Sequence, residues 1–156
     1  MNNSPLTGEY CRLFEKYTKQ SGNALCIPRY SIMPFVGELV ELIAHELDSL
    51  HLCNIAHYLG IKKIVHNSEV DLLAPNEYGA LLFGQNLGAV IVIDDTMTAQ
   101  ERRFTLAHEI GHYILHLRRT GREIGGISAA RMEHEADMFA GALIYFIERI
   151  KAKEAA

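Results

Sequence analysis

The sequence predicts an α+β fold within a chain of one domain's length. Three observations carry this. Apolar residues recur at helical spacing through the first sixty residues, β-branched runs occupy residues 61–93, and two long helical stretches follow. Strands gathered between helical blocks, rather than alternating with them, form a small antiparallel or mixed sheet.

The elements follow in order. Between Thr7 and Gln20, the residues Tyr10, Leu13, Phe14 and Tyr17 make an amphipathic helical stripe. Residues 22–35, GNALCIPRYSIMPF, hold Gly22, Pro28 and Pro34 and read as an irregular connector. Residues 1–35 are therefore expected to be an N-terminal helical appendage with its connector, and residues 36–150 the main domain. Helical patterning resumes from Val36 to about Leu50, and a short helix, Cys53 to Leu59, is stopped by Gly60 in the C′ position. IKKIVH (61–66) reads as a strand. NEYGALLFGQNLGAVIVIDD (76–95) reads as a hairpin turning between Gly84 and Gly88, with Val90–Ile93 apolar enough to be covered on both faces. Thr98-Ala-Gln-Glu101 is a capping box opening a helix that runs to about Leu117. Ser128 can cap a last helix reaching Ile150, beyond which KAKEAA is expected to fray.

Composition narrows the function classes. A chain of 156 residues, 49% hydrophobic and 22% charged, buries about 69% of its unfolded surface by size scaling, so it needs no disulfide staples. No run of 18 apolar residues is present and the N-terminus has no apolar signal core, so a membrane span is excluded and a cytoplasmic location is expected. Cys11, Cys26 and Cys53 are odd in number and contain no CxxC, and read as reduced thiols. Fifteen Lys and Arg against 19 Asp and Glu give a net charge of −4, which disfavours direct nucleic-acid binding. The local cluster Arg118, Arg119 and Arg122 reads as favourable charge at a helix C-terminus.

The informative stretch is RRFTLAHEIGHYILH, residues 102–116. His108-Glu109-Ile110-Gly111-His112 is HExxH. At about 100° per residue, His108 and His112 lie one turn apart and roughly 40° apart around a helix. Two imidazoles so placed can grip one metal ion, with Glu109 beside them as a base. The motif arises by chance in on the order of a few per cent of shuffled chains of this composition, so context matters. Here Phe104, Gly111 and Leu115 lie on the His108 side, and Leu106, Ile110, Tyr113, Ile114 and Leu117 form the other wall, as in a centrally buried helix.

A catalytic zinc site takes a third protein ligand and leaves one position open. A third histidine six residues after His112 is excluded, because position 118 is Arg. The segment MEHEADMFAGALI offers Glu133 and Glu135 instead. Helical phase puts Glu133 with Ala136, Asp137, Ala140, Ile144 and Ile147 on an inward stripe, and Glu135 on the other side with Arg131, Ala142 and Arg149. Glu133 is thus the expected third ligand, with Asp137 placed to orient a ligating histidine. His45-Glu46 begins the same motif but has Ser49 where the second histidine belongs. His116 continues the ladder and could polarise a substrate carbonyl, although a plain hydrogen-bonded histidine is the simpler reading. His51, His57, His66 and His134 have no partner pattern.

With LGIKKIV, AVIVIDD, RFTLAHEIGHYILH and EHEADMFAGAL in hand, the chain resembles the ImmA/IrrE-type metallopeptidases over roughly residues 38–147. The resemblance implies a small gluzincin-like fold in which a central HExxH helix packs on a second ligand-bearing helix. It implies His108, His112 and Glu133 as zinc ligands and Glu109 as general base. It also implies a protein substrate, a helix-turn-helix repressor whose cleavage switches on a stress response or a mobile element. The chain departs from the family after the last motif, where LIYFIERI replaces a Leu-Leu-Met-Pro type ending, and its first 35 residues have no clear counterpart.

A zinc-dependent endopeptidase is the expected function, with another divalent ion able to serve in place of zinc. The alternative is a non-proteolytic, metal-stabilised binding module, such as half of a toxin–antitoxin pair. A structural site closes its fourth position and needs no base there, so Glu109 argues against that alternative.

Overall fold

The computed structural model describes residues 7–21, 24–117 and 129–156. Six α-helices and two small sheets are seen among them: α1 (Thr7–Tyr17), β1 (Lys19–Ser21), β2 (Ala24–Cys26), α2 (Arg29–Glu46), α3 (Leu52–Leu59), β3 (Ile61–His66), α4 (Asn67–Val70), β4 (Gly79–Gly84), β5 (Gly88–Ile93), α5 (Ala99–His112) and α6 (Ala129–Ala155). The last turn after α5, Tyr113–Leu117, is π-helical. This is the α+β class, with a mixed sheet.

The described residues of the expected connector form regular elements instead. β1 and β2 pair antiparallel, Lys19 opposite Cys26, in strands of three residues each, too short to show a period. α2 then begins at Arg29 rather than Val36, with Pro28 as its N-cap and Pro34 inside its second turn. A proline there removes one backbone hydrogen bond. Burial outweighs that loss, because Ile32, Phe35, Val36, Leu39 and Ile43 are all fully enclosed. The helix runs unbroken across residues 35–36 and stops at Glu46, short of Leu50. Tyr10, Leu13 and Phe14 of α1 are buried too, Phe14 meeting Phe35 edge-on at 5.8 Å. At the other end α6 continues to Ala155, so the expected frayed tail is helical up to its last residue.

Other local signals are realised. Gly60 ends α3 at φ 113°, in the left-handed region. The three-stranded sheet has the order β3-β5-β4, parallel between β3 and β5 and antiparallel between β4 and β5. β5 is the central strand, which is why Ile91, Val92 and Ile93 are all buried, and β4 is an edge. Thr98 and Glu101 exchange both bonds of the capping box. α5 packs against α6, β4 and β5, and α6 also packs against α2. The cysteines are free, Cys26 buried and the other two exposed. Among the described residues no helix is long and apolar enough to cross a membrane. Arg118, Arg119, Arg122 and Ser128 lie outside the described residues.

Candidate metal centre

Two helices build the site. The capping box starts α5, and the residues that bury it, Leu106, Ala107, Ile110 and Gly111, leave His108 and His112 turned toward α6. The approach is close at Gly111. A Cβ there would stand 3.1 Å from the Cβ of Phe139, so glycine lets the two helices meet. Facing the histidines, α6 presents Glu133 and, one turn on, Asp137.

Three donor atoms converge. Nε2 of His108 lies 3.1 Å from Nε2 of His112 and 3.1 Å from Oε2 of Glu133, and Nε2 of His112 lies 2.8 Å from Oε1 of Glu133. Two imidazole nitrogens and a carboxylate oxygen make a set that could hold a metal ion. A tetrahedral ion with bonds near 2.0–2.1 Å holds its ligand atoms about 3.3–3.4 Å apart, a separation that the 3.1 Å between the two imidazole nitrogens approaches. The donor chemistry, neutral nitrogens with one anionic oxygen, suits a borderline divalent cation.

Each imidazole is held from behind. Nδ1 of His108 donates to Oδ1 of Asp137 at 2.8 Å, and Nδ1 of His112 meets Nδ1 of His116 at 3.1 Å. Both contacts leave Nε2 facing the triangle. His116 is 4% exposed, and among the described residues its Nε2 has no hydrogen-bond partner. Burial, with the neighbouring His112, pushes its pKa down to about 3, so it is a neutral imidazole. Burial also lowers the pKa of His112, and His108 adds to this.

Glu109 stands beside the triangle, 7% exposed. Burial pushes its carboxyl up to about 7; His108 opposes this and the charges of Glu133 and Glu77 add to it. The edge strand β4 passes directly over it. A Cβ on Gly79 would lie 2.6 Å from Cγ2 of Thr105 and 3.3 Å from Oε1 of Glu109. Two hollows of about 420 and 500 Å³ share Glu77, Gly79, Glu109 and Glu133. The first extends past His112, His116 and Leu81, and the second past Tyr78, Phe104, His108 and Asp137.

The structure thus brings together His108, Glu109, His112, His116, Glu133 and Asp137. It corrects the reasoning that singled out Glu133. The side chain of Glu133 is 64% exposed, at the rim of the cleft, whereas Glu135 is the buried carboxylate, 2% exposed and bonded to Nε of Arg131 at 3.2 Å. α6 is covered by both α2 and α5, so its buried arc is wide and centred near Phe139 and Leu143; Glu133 lies about 90° from that centre, at the edge facing α5. Phe104, expected in the helix wall, is 40% exposed beside the cleft. His45 and Glu46 are exposed, as the broken motif implies. Gly79 was not legible as a site residue, because only the fold lays β4 against Glu109.

The family profile of the IrrE N-terminal-like domain, Peptidase_M78, matches residues 57–145, a span from α3 into α6 that holds the whole triangle. No curated protein sequence matches the chain significantly.

Proposed function

The chain belongs to the Peptidase_M78 family of metal-dependent peptidases, and from that premise we propose that it is a zinc-dependent endopeptidase whose catalytic unit is residues 36–150. His108, His112 and Glu133 hold the ion, Asp137 orients His108, and Glu109 is the general base. The observation that carries this reading is a buried Glu109 next to three convergent donors, a combination that a purely structural metal site does not need.

A bound divalent ion supplies Lewis-acid chemistry, polarising water and the scissile carbonyl. The chain's own residues do the rest. Glu109, with a pKa near neutrality, takes a proton from the attacking water as the new C–O bond forms. It then returns that proton to the amine nitrogen as the C–N bond breaks. Among the described residues the outer edge of β4 beside Glu109 pairs with no strand, and it offers backbone donors and acceptors to an extended substrate segment. Leu81 and Met132 on one side of the cleft offer apolar contact to its side chains.

The substrate we propose is a helix-turn-helix repressor in the cytoplasm. This rests on the resemblance of RFTLAHEIGHYILH and EHEADMFAGAL to the ImmA/IrrE type, and on a net charge of −4 that suits a protein target better than nucleic acid. The test is incubation of the zinc-loaded protein with the repressor encoded beside its gene. Cleavage by the wild type and none by Glu109→Gln is the expected result. Equal cleavage by both removes Glu109 from the mechanism. Zinc-dependent melting with no cleavage of any partner favours a binding module.

A further inference from the structure

α5 has a second lined face. On the side of the helix roughly opposite His108, a cavity of about 410 Å³ is lined by residues of α3, β3, β5, α5 and α6 together with Leu50 and His51. Its floor is apolar: Ile64, Ile93 and Leu106, the last two buried. Apart from the thiol of Cys53, its ionisable lining is basic or imidazole, namely Arg102, Arg103, Lys151, His51, His57 and His66, and among the described residues no carboxylate lines it. That is unexpected in a chain of net charge −4, whose metal cleft carries Glu77, Glu109, Glu133 and Asp137.

The cations are not equivalent. Arg103 is taken by Glu148, Nη2 to Oε1 at 2.5 Å, and Lys151 also lies in the field of Glu148. Asp95, near His66, is engaged by the hydroxyl and backbone N–H of Ser68. Nδ1 of His57 donates to the carbonyl of Ile61 at 3.0 Å, so its Nε2 is left over. Arg102 is half-buried, and among the described residues its guanidinium has no hydrogen-bond or ion-pair partner. Its planar fork fits the paired oxygens of a carboxylate or phosphate.

We propose that this cavity binds a small organic anion, with one carboxylate or phosphate head on Arg102 and a compact apolar body over Ile64, Ile93 and Leu106. The volume lies within the range of small-molecule sites, of order 300–1,000 Å³. Head and body are both needed, because a bare anion leaves the floor uncovered and a neutral hydrocarbon leaves Arg102 unpaired. The site goes beyond the peptidase reading and stands without it, since no metal ligand takes part.

The test is a methyl NMR titration of the full, metal-free chain with phenyl phosphate, benzoate, inorganic phosphate and phenol. Phenyl phosphate or benzoate is expected to shift the Ile64, Ile93 and Leu106 methyls saturably, at least about tenfold more tightly than inorganic phosphate or phenol, and the tighter of the two names the head group. Arg102→Gln is expected to weaken that binding on the order of tenfold while the remaining methyl spectrum is unchanged; Lys151→Gln, on the exposed end of α6, is a second probe expected to weaken it less. The proposal is overturned if neither aryl anion saturates, if inorganic phosphate binds as tightly as phenyl phosphate, or if both variants bind like the wild type.

Discussion

Nδ1 of His112 lies 3.1 Å from Nδ1 of His116, one turn further along the chain. Two imidazole nitrogens at that distance share one proton. With Nε2 of His112 given to a metal ion, that proton sits on Nδ1 of His112 and Nδ1 of His116 accepts it. His116→Phe removes the acceptor and is expected to weaken zinc affinity by about 10- to 100-fold in a competitive chelator titration, with His116→Asn restoring part of the loss through its amide oxygen. Unchanged affinity in His116→Phe would show that the contact does not orient His112.

The corresponding support for His108 is a carboxylate, Oδ1 of Asp137 at 2.8 Å. Asp137→Ala is expected to reduce zinc affinity by about 10- to 100-fold, and Asp137→Asn by less, because the amide oxygen still accepts. The same titration measures both, and melting of the metal-free variants should be nearly unchanged, since Asp137 is exposed.

Gly79 has no room for a side chain. Its would-be Cβ meets Thr105 at 2.6 Å and the Glu109 carboxylate at 3.3 Å. Gly79→Ala is expected to displace Glu109 and lower kcat on the order of tenfold, with metal affinity unchanged. Adding Thr105→Ser removes the methyl group it strikes and should recover part of the rate. A kcat for Gly79→Ala equal to wild type would show that β4 can shift without disturbing the base.

Gly111 sets the spacing of α5 and α6. A Cβ 3.1 Å from the Cβ of Phe139 cannot be accommodated by a rotamer change alone. Gly111→Ala is expected to destabilise the protein by about 1–3 kcal/mol in denaturant unfolding, unless the helices separate and the zinc affinity falls instead.

Glu135 supplies a pH test of stability away from the cleft. Burial raises its carboxyl above the ordinary 4.5, and Arg131 opposes this only in part. The folded chain then holds a proton that the unfolded chain has released. That advantage is fully present below the unfolded value and is lost as pH rises through the folded one. Glu135→Gln is always neutral, so its stability relative to wild type should climb as pH rises from the ordinary carboxylate value through the raised folded one. A flat difference across that range would show that the Arg131 pair cancels the burial.

Features that depend on residues a few positions apart were legible in the sequence. The one-turn spacing of His108 and His112, the Thr98–Glu101 capping box, the glycine stop at Gly60 and the hairpin around Gly84–Gly88 are properties of one helix or one turn, and backbone geometry alone determines them. What lies between elements was decided by packing. Pro28 and Pro34 read as breakers, yet α2 forms across Pro34 because it buries Phe35 and its neighbours. Glu133 does not lie on the enclosed stripe that helical phase assigns it: it stands at an exposed rim facing two histidines, and Glu135 is the enclosed one. His51, His57 and His66 had no pattern along the chain, and only the folding of α3, β3 and α5 around one cavity sets them beside Arg102. Period and capping are local and survive in any fold, whereas a burial direction belongs to a pair of surfaces and exists only once both are present.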